Sequence, residues 1–81
     1  MKMNVFEYAV TARGEDVAGF DNLEHASMFA LKLAKHEHCD VDIINAFTGE
    51  VHLSLCSYLH ITYNADKNEV EKFYEVKERA W

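Results

Sequence analysis

The sequence predicts an α+β domain: an antiparallel four-stranded sheet in the order ββαββα, with one helix packed on the sheet and a second helix at the C-terminus. Three observations predict it. Apolar and polar residues alternate over residues 5–12 and again from Val51 to Tyr63, the period of a half-buried strand. Between these stretches, apolar residues recur every three or four positions from Asn22 to about His36. That is the period of a helix lying on a sheet. Glycines punctuate the chain where hairpins need them, and no proline interrupts any element.

In the first strand, Phe6, Tyr8 and Val10 share one face, while Glu7 and Thr11 share the other. Arg13-Gly14 is a turn, with Gly14 able to take positive φ. Residues 16–20 return as a short second strand, closing a hairpin. Asp21 is the expected cap of the first helix, and Glu24 its capping-box partner. Leu23, Ala26, Phe29, Ala30, Leu33 and Ala34 form the apolar stripe of that helix.

Residues 41–46 make the third strand. Phe47-Thr48-Gly49-Glu50 is a turn with Gly49 in the left-handed position. The long alternation that follows is read as one strand, or two with a kink near Ser57. Asp66 and Glu69 again stand at capping-box spacing. Beyond them Val70, Phe73, Tyr74, Lys77 and Trp81 trace a stripe at helical spacing. They are read as a C-terminal helix that closes the core or meets a partner.

The 81 residues make a single domain. A domain of this size buries only about 60% of its unfolded surface, so association with a partner or a second copy would help it. The early Glu7 does not fit a signal peptide, and no apolar run reaches the ~20 residues of a membrane span. Cys39 and Cys56 lack CxxC spacing and are read as reduced thiols. The expectation is a cytoplasmic protein, in a host cytoplasm if phage-encoded, with no membrane contact.

The net charge is −6, the wrong sign for direct nucleic-acid binding, which needs a Lys/Arg surplus. Its distribution is uneven. Residues 36–66 contain Glu37, Asp40, Asp42, Glu50 and Asp66 with no Lys or Arg, and four of the five histidines fall there. This predicts a one-signed patch able to steer encounter with a basic surface. Protonating the histidines below pH about 6.5 would neutralise much of it.

No grouping of residues predicts catalysis. There is no nucleophile elbow, no phosphate-cradling glycine loop and no HExxH. His52, Cys56 and His60 are spaced i, i+4, i+8. On a strand each such step is about 13 Å, too far for one ion. A metal site joining His38 or Cys39 to His52 or His60 is the third-ranked reading, and the expected cofactor and metal content is none.

Tyr8-Ala9-Val10-Thr11, Val17-Ala18-Gly19-Phe20-Asp21, Glu24-His25-Ala26, Phe29-Ala30 and the run Asp42 to Val51 together resemble the short ββαββ accessory proteins of phages and mobile elements. Some members of that class inhibit host defence, as anti-CRISPR proteins do. The resemblance covers about residues 5–55 and carries no functional residues across. It implies an inhibitor.

The functional expectation is therefore a non-enzymatic, acidic inhibitor or adaptor. It would dock on a basic or nucleic-acid-binding surface of a larger protein. The expected contact residues are Glu37, His38, Asp40, Asp42 and Glu50, with Tyr74 and Trp81 as aromatic anchors. The alternative is a regulatory domain that forms a homodimer through its C-terminal helix or a sheet edge.

Overall fold

The computed structural model describes residues 6–79. The element order is β1 (Tyr8–Ala12), β2 (Glu15–Phe20), α1 (Leu23–Glu37), β3 (Val41–Asn45), β4 (Val51–Asn64) and β5 (Glu69–Glu78). All five strands form one antiparallel sheet in the spatial order β2-β1-β3-β4-β5. The α+β class stands, but the expected four strands and two helices do not. The segment read as a C-terminal helix is a fifth strand, and α1 is the single helix of the described residues.

The β1–β2 turn falls at Arg13-Gly14, where the sequence places it. Arg13 and Gly14 both take positive φ, at 54° and 80°, the two-residue hairpin whose twist matches its strands. Val17 is the extra residue of a bulge, since Thr11 faces Asp16 while Val10 faces Ala18. The helix is capped one residue later than expected. Asn22 is the N-cap, and its Oδ1 accepts from the backbone N–H of Glu24 at 2.7 Å and of His25 at 3.3 Å. Asp21 lies outside the helix, so the Asp21–Glu24 capping box does not form.

Ala26, Ala30 and Ala34 are fully buried. Their i, i+4, i+8 spacing puts three methyl groups along the seam, so the helix axis lies close to the sheet. Beneath it sit Val10, Val41, Ile43 and Leu55, which the register places on one face of β1, β3 and β4. Phe29 reaches sideways onto Phe20, ring centroids 5.4 Å apart. At its C-terminus the helix ends on His38 in the left-handed conformation, and Cys39 and Asp40 lead into β3.

β3 has five residues and β4 has fourteen. β3 therefore covers β4 only from Val51 to Leu55. β4 runs on without a kink at Ser57, and from Leu55 to Asn64 its ladder partner is β5. Nine steps at ~3.3 Å make an arm of about 30 Å that leaves the sheet as two strands. The molecule measures 63 × 28 × 21 Å, with a radius of gyration of 16.2 Å. A compact chain of this length would have about 12 Å.

The residues of β5 fit a strand for local reasons. The side chain of Asn64 accepts from the N–H groups of Asp66 and Lys67, at 3.1 and 3.3 Å. Asn68 takes φ 54°, a left-handed position that asparagine tolerates. Together they close a tight turn where the spacing of Asp66 and Glu69 suggests a capping box. Read at period two, Val70, Tyr74 and Val76 then fall opposite Tyr63, Leu59 and Ser57. The apolar positions serve a strand as well as they serve a helix.

Candidate functional site

The expected contact residues separate into different places. Glu37, His38, Asp40 and Asp42 gather where α1 ends and β3 begins. Glu50 lies beyond the other end of β3, about 15 Å away along the strand. Asp66 sits in the turn at the arm tip. Trp81 lies outside the described residues.

The near group of carboxylates is already engaged. Arg13, in the β1–β2 turn, approaches Glu37 at 4.0 Å. Asp40 accepts from the backbone N–H of Ser57 at 3.1 Å. Asp42 accepts from the hydroxyl of Ser54, its facing residue on β4. Arg79 follows β5, and its N–H donates to the Ser54 carbonyl at 2.8 Å. Its guanidinium is held above its ordinary pKa, first by a hydrogen bond to Cys56 and then by the nearby Asp40 and Asp42. The segment 36–66 contains no Lys or Arg, but the topology brings four to it from elsewhere, Arg13, Lys72, Lys77 and Arg79. It is not a surface of one sign. Only strand pairing and the turns it sets side by side, invisible to a count along the chain, deliver them.

The histidines are dispersed in the same way. His38 stacks on Tyr74, with ring centroids 3.8 Å apart and planes at 19°. His52 meets the edge of Tyr8 at 5.2 Å. His60 stacks on its cross-strand neighbour Phe73 at 4.6 Å. Among the described residues, no three His, Cys, Asp or Glu side chains converge as a metal site would require. His38, Cys39, His52 and His60 are not brought together, and Cys39 and Cys56 are free thiols.

A shallow groove of about 490 Å³ lies on β1 and β2, lined by Phe6, Ala9, Asp16, Val17, Gly19 and Phe47 among others. Among the described residues Asp16 is its one ionisable lining residue.

The arm is the feature that stands apart. Facing residues on antiparallel strands project to the same side. One side of the arm therefore presents Leu59, Ile61, Tyr63, Val70 and Tyr74, with Lys72 among them opposite Ile61, continuous with Leu55 and Val76 beneath the helix. These side chains are largely solvated; Ile61 and Tyr63 retain 60% and 61% of their accessible surface. The other side carries Tyr58, His60, Thr62, Glu71, Phe73, Glu75 and Lys77. There a polar ladder stiffens the arm. Glu75 accepts from Lys77 Nζ at 3.1 Å and meets His60 Nε2 at 3.3 Å. Lys77 also lies 5.8 Å from the Tyr58 ring centroid. At the tip, the Tyr63 hydroxyl donates to Asn68 Oδ1 at 2.7 Å.

Glu75 titrates below its ordinary value, chiefly because Lys77 donates to the carboxylate; His60 adds a smaller push and burial opposes both. The sign of the consequence follows. A depressed folded pKa stabilises the arm in full above the unfolded value of 4.5 and loses that contribution as pH falls through the folded pKa. Amide exchange of Glu71, Phe73, Glu75 and Lys77, whose N–H groups face β4, is expected to quicken between pH 5 and pH 3, after correction for intrinsic rates, in the native chain. A Glu75→Gln chain should lack this acid step.

No family model matches the chain, and no curated protein or solved structure does either. No helix of the described residues is long and apolar enough to cross a membrane.

Proposed function

We propose that this chain is a non-enzymatic binding protein, an inhibitor or adaptor, that engages a larger protein through its β4–β5 arm. One observation carries the reading. A two-stranded arm leaves the sheet with a mostly apolar row of side chains exposed along one side, broken by Lys72, and with its outer edge unpaired among the described residues. An isolated hairpin is marginal in water, and a contiguous exposed apolar patch marks an interaction surface. Aromatic residues such as Tyr63 and Tyr74 are the usual anchors of such contacts. The net charge of −6 favours a partner with a basic docking surface, by steering encounter. Inhibition of a host-defence protein would be one form of this activity.

This reading moves the contact from the acidic segment to the arm. Tyr74 keeps its place as an anchor, and Glu37, Asp40 and Asp42 become flanking charges. The experiment is affinity capture from a lysate of the source organism, comparing the intact chain with one whose arm is shortened between His60 and Phe73. Loss of a specific captured protein on shortening supports the reading. A captured protein that binds both chains equally contradicts it.

A further inference from the structure

We propose that the outer edge of β5 pairs with the same edge of a second copy of this chain, antiparallel about a two-fold axis at Tyr74. The step goes beyond the reading above, which concerns a larger partner and the apolar face of the arm. It uses the edge of the arm, a different set of groups.

The edge is built to pair. β5 lies last in the sheet, and its ten residues run in unbroken register against β4. The phase of its backbone follows from one bond. The N–H of Arg79 points to the Ser54 carbonyl on β4, so the odd residues of β5 turn inwards. Val70, Lys72, Tyr74, Val76 and Glu78 therefore turn their N–H and C=O groups outwards, free of any ladder among the described residues. Such an edge is a template for another strand.

Symmetry and charge then choose the register. Two copies joined edge to edge by a two-fold must set like faces together, so facing residue numbers sum to an even value. With Tyr74 facing Tyr74, the outward-turned residues fall opposite one another, Lys72 against Val76 and Val70 against Glu78. Every free N–H in the pairing then meets a carbonyl. The same register sets Glu71 opposite Lys77 on both sides of the axis, in the closely spaced positions where side chains interact best. Slipping so that Phe73 faces Phe73 opposes Glu71 to Glu75 twice. Slipping the other way places Glu75 against itself. Among these registers, the one centred on Tyr74 opposes no like charges.

The test uses paired charge reversals. The native chain is expected to sediment as a dimer that dissociates on dilution. Glu71→Lys alone sets lysine against Lys77, and Lys77→Glu alone sets glutamate against Glu71. Each should weaken self-association roughly tenfold. Mixed together, the two variants restore opposite charges at both positions, so the mixture should associate about as well as the native chain. Hydrogen exchange of the native chain gives a readout that needs no variant. The amides of Lys72, Tyr74 and Val76 should be protected at high concentration and exposed on dilution. A native chain that stays monomeric at millimolar concentration, or a mixture that associates no better than its components, overturns the proposal. A monomer that still loses its captured protein on arm shortening would overturn the dimer alone. A dimer whose capture ignores the arm would overturn the functional reading alone.

Discussion

Replacing Ile43 by alanine is expected to destabilise the fold by about 2–5 kcal/mol, the largest effect of any single apolar truncation. Ile43 is the largest fully buried side chain. It lies on the central strand, between Val10 of β1 and Leu53 of β4. The helix above it contributes only the methyl groups of Ala26, Ala30 and Ala34 to the seam. Short side chains cannot swing in to fill a cavity, so the site collapses poorly. A domain of this length holds roughly 4–12 kcal/mol in total, so the loss is a large share. Thermal unfolding followed by circular dichroism should show a midpoint lower by 10 °C or more, on the order of several degrees per kcal/mol. A drop of under about 3 °C would mean that the core is not centred on β3.

Shortening the arm is expected to have the opposite profile. Residues 61–72 would be replaced by Asn-Gly, a pair suited to a two-residue hairpin turn, with the facing residues His60 and Phe73 on either side of it. Those residues include Ile61, Tyr63 and Val70, all more than half exposed. None of the deleted residues belongs to the core cluster, and the His60–Phe73 stack is retained. Stability should change by no more than about 1 kcal/mol, the range of surface changes that bury nothing. Binding should change far more, because the apolar face of the arm is halved and Glu71 is gone from the edge. Unfolding and partner capture measured on one preparation separate the two effects. A shortened chain that fails to fold would make the distal arm structural, and one that folds and binds fully would strip the arm of its role.

The parts of the fold that were legible in the sequence were those set by short-range chemistry. Gly14 marks its turn because glycine takes positive φ without strain, whereas the positive φ of Arg13 is not legible from its residue type. Gly49 marks the next turn in the same way, and the alternation from Val51 to Tyr63 identifies β4. The capping residue was misplaced by one because Asp21 and Asn22 are chemically equivalent caps, and only backbone geometry separates them. The C-terminal segment departs from the expected helix for a sharper reason. Val70, Phe73, Tyr74 and Lys77 satisfy helical spacing, while Val70, Tyr74 and Val76 satisfy strand spacing, and the residues alone do not choose. A longer-range signal does choose. β4 is nearly three times the length of β3, so its distal half needs another strand to satisfy its backbone, and residues 69–78 are next in line to supply it.

The same limitation shaped the reading of the site. The run without Lys or Arg from residue 36 to 66 suggested one acidic surface, but charge counted along a chain ignores what the sheet brings alongside. β3 sits between β1 and β4. The same sheet sets Arg13 beside Glu37 and bonds the backbone of Arg79 to Ser54, the residue facing Asp42. The arm emerges only once β5 is recognised as a strand, and the apolar surface follows from its register rather than from any motif.

Everything proposed about binding depends on residues 69–78 folding back along β4. Cross-strand nuclear Overhauser contacts in the native chain decide it. Facing pairs at the closely spaced positions bring α-hydrogens together, so strong Hα–Hα contacts are expected for Tyr63 with Val70, Ile61 with Lys72, and Leu59 with Tyr74. Medium-range contacts between residues three apart from Glu69 to Glu78, with none across to β4, would instead show a C-terminal helix and remove the arm.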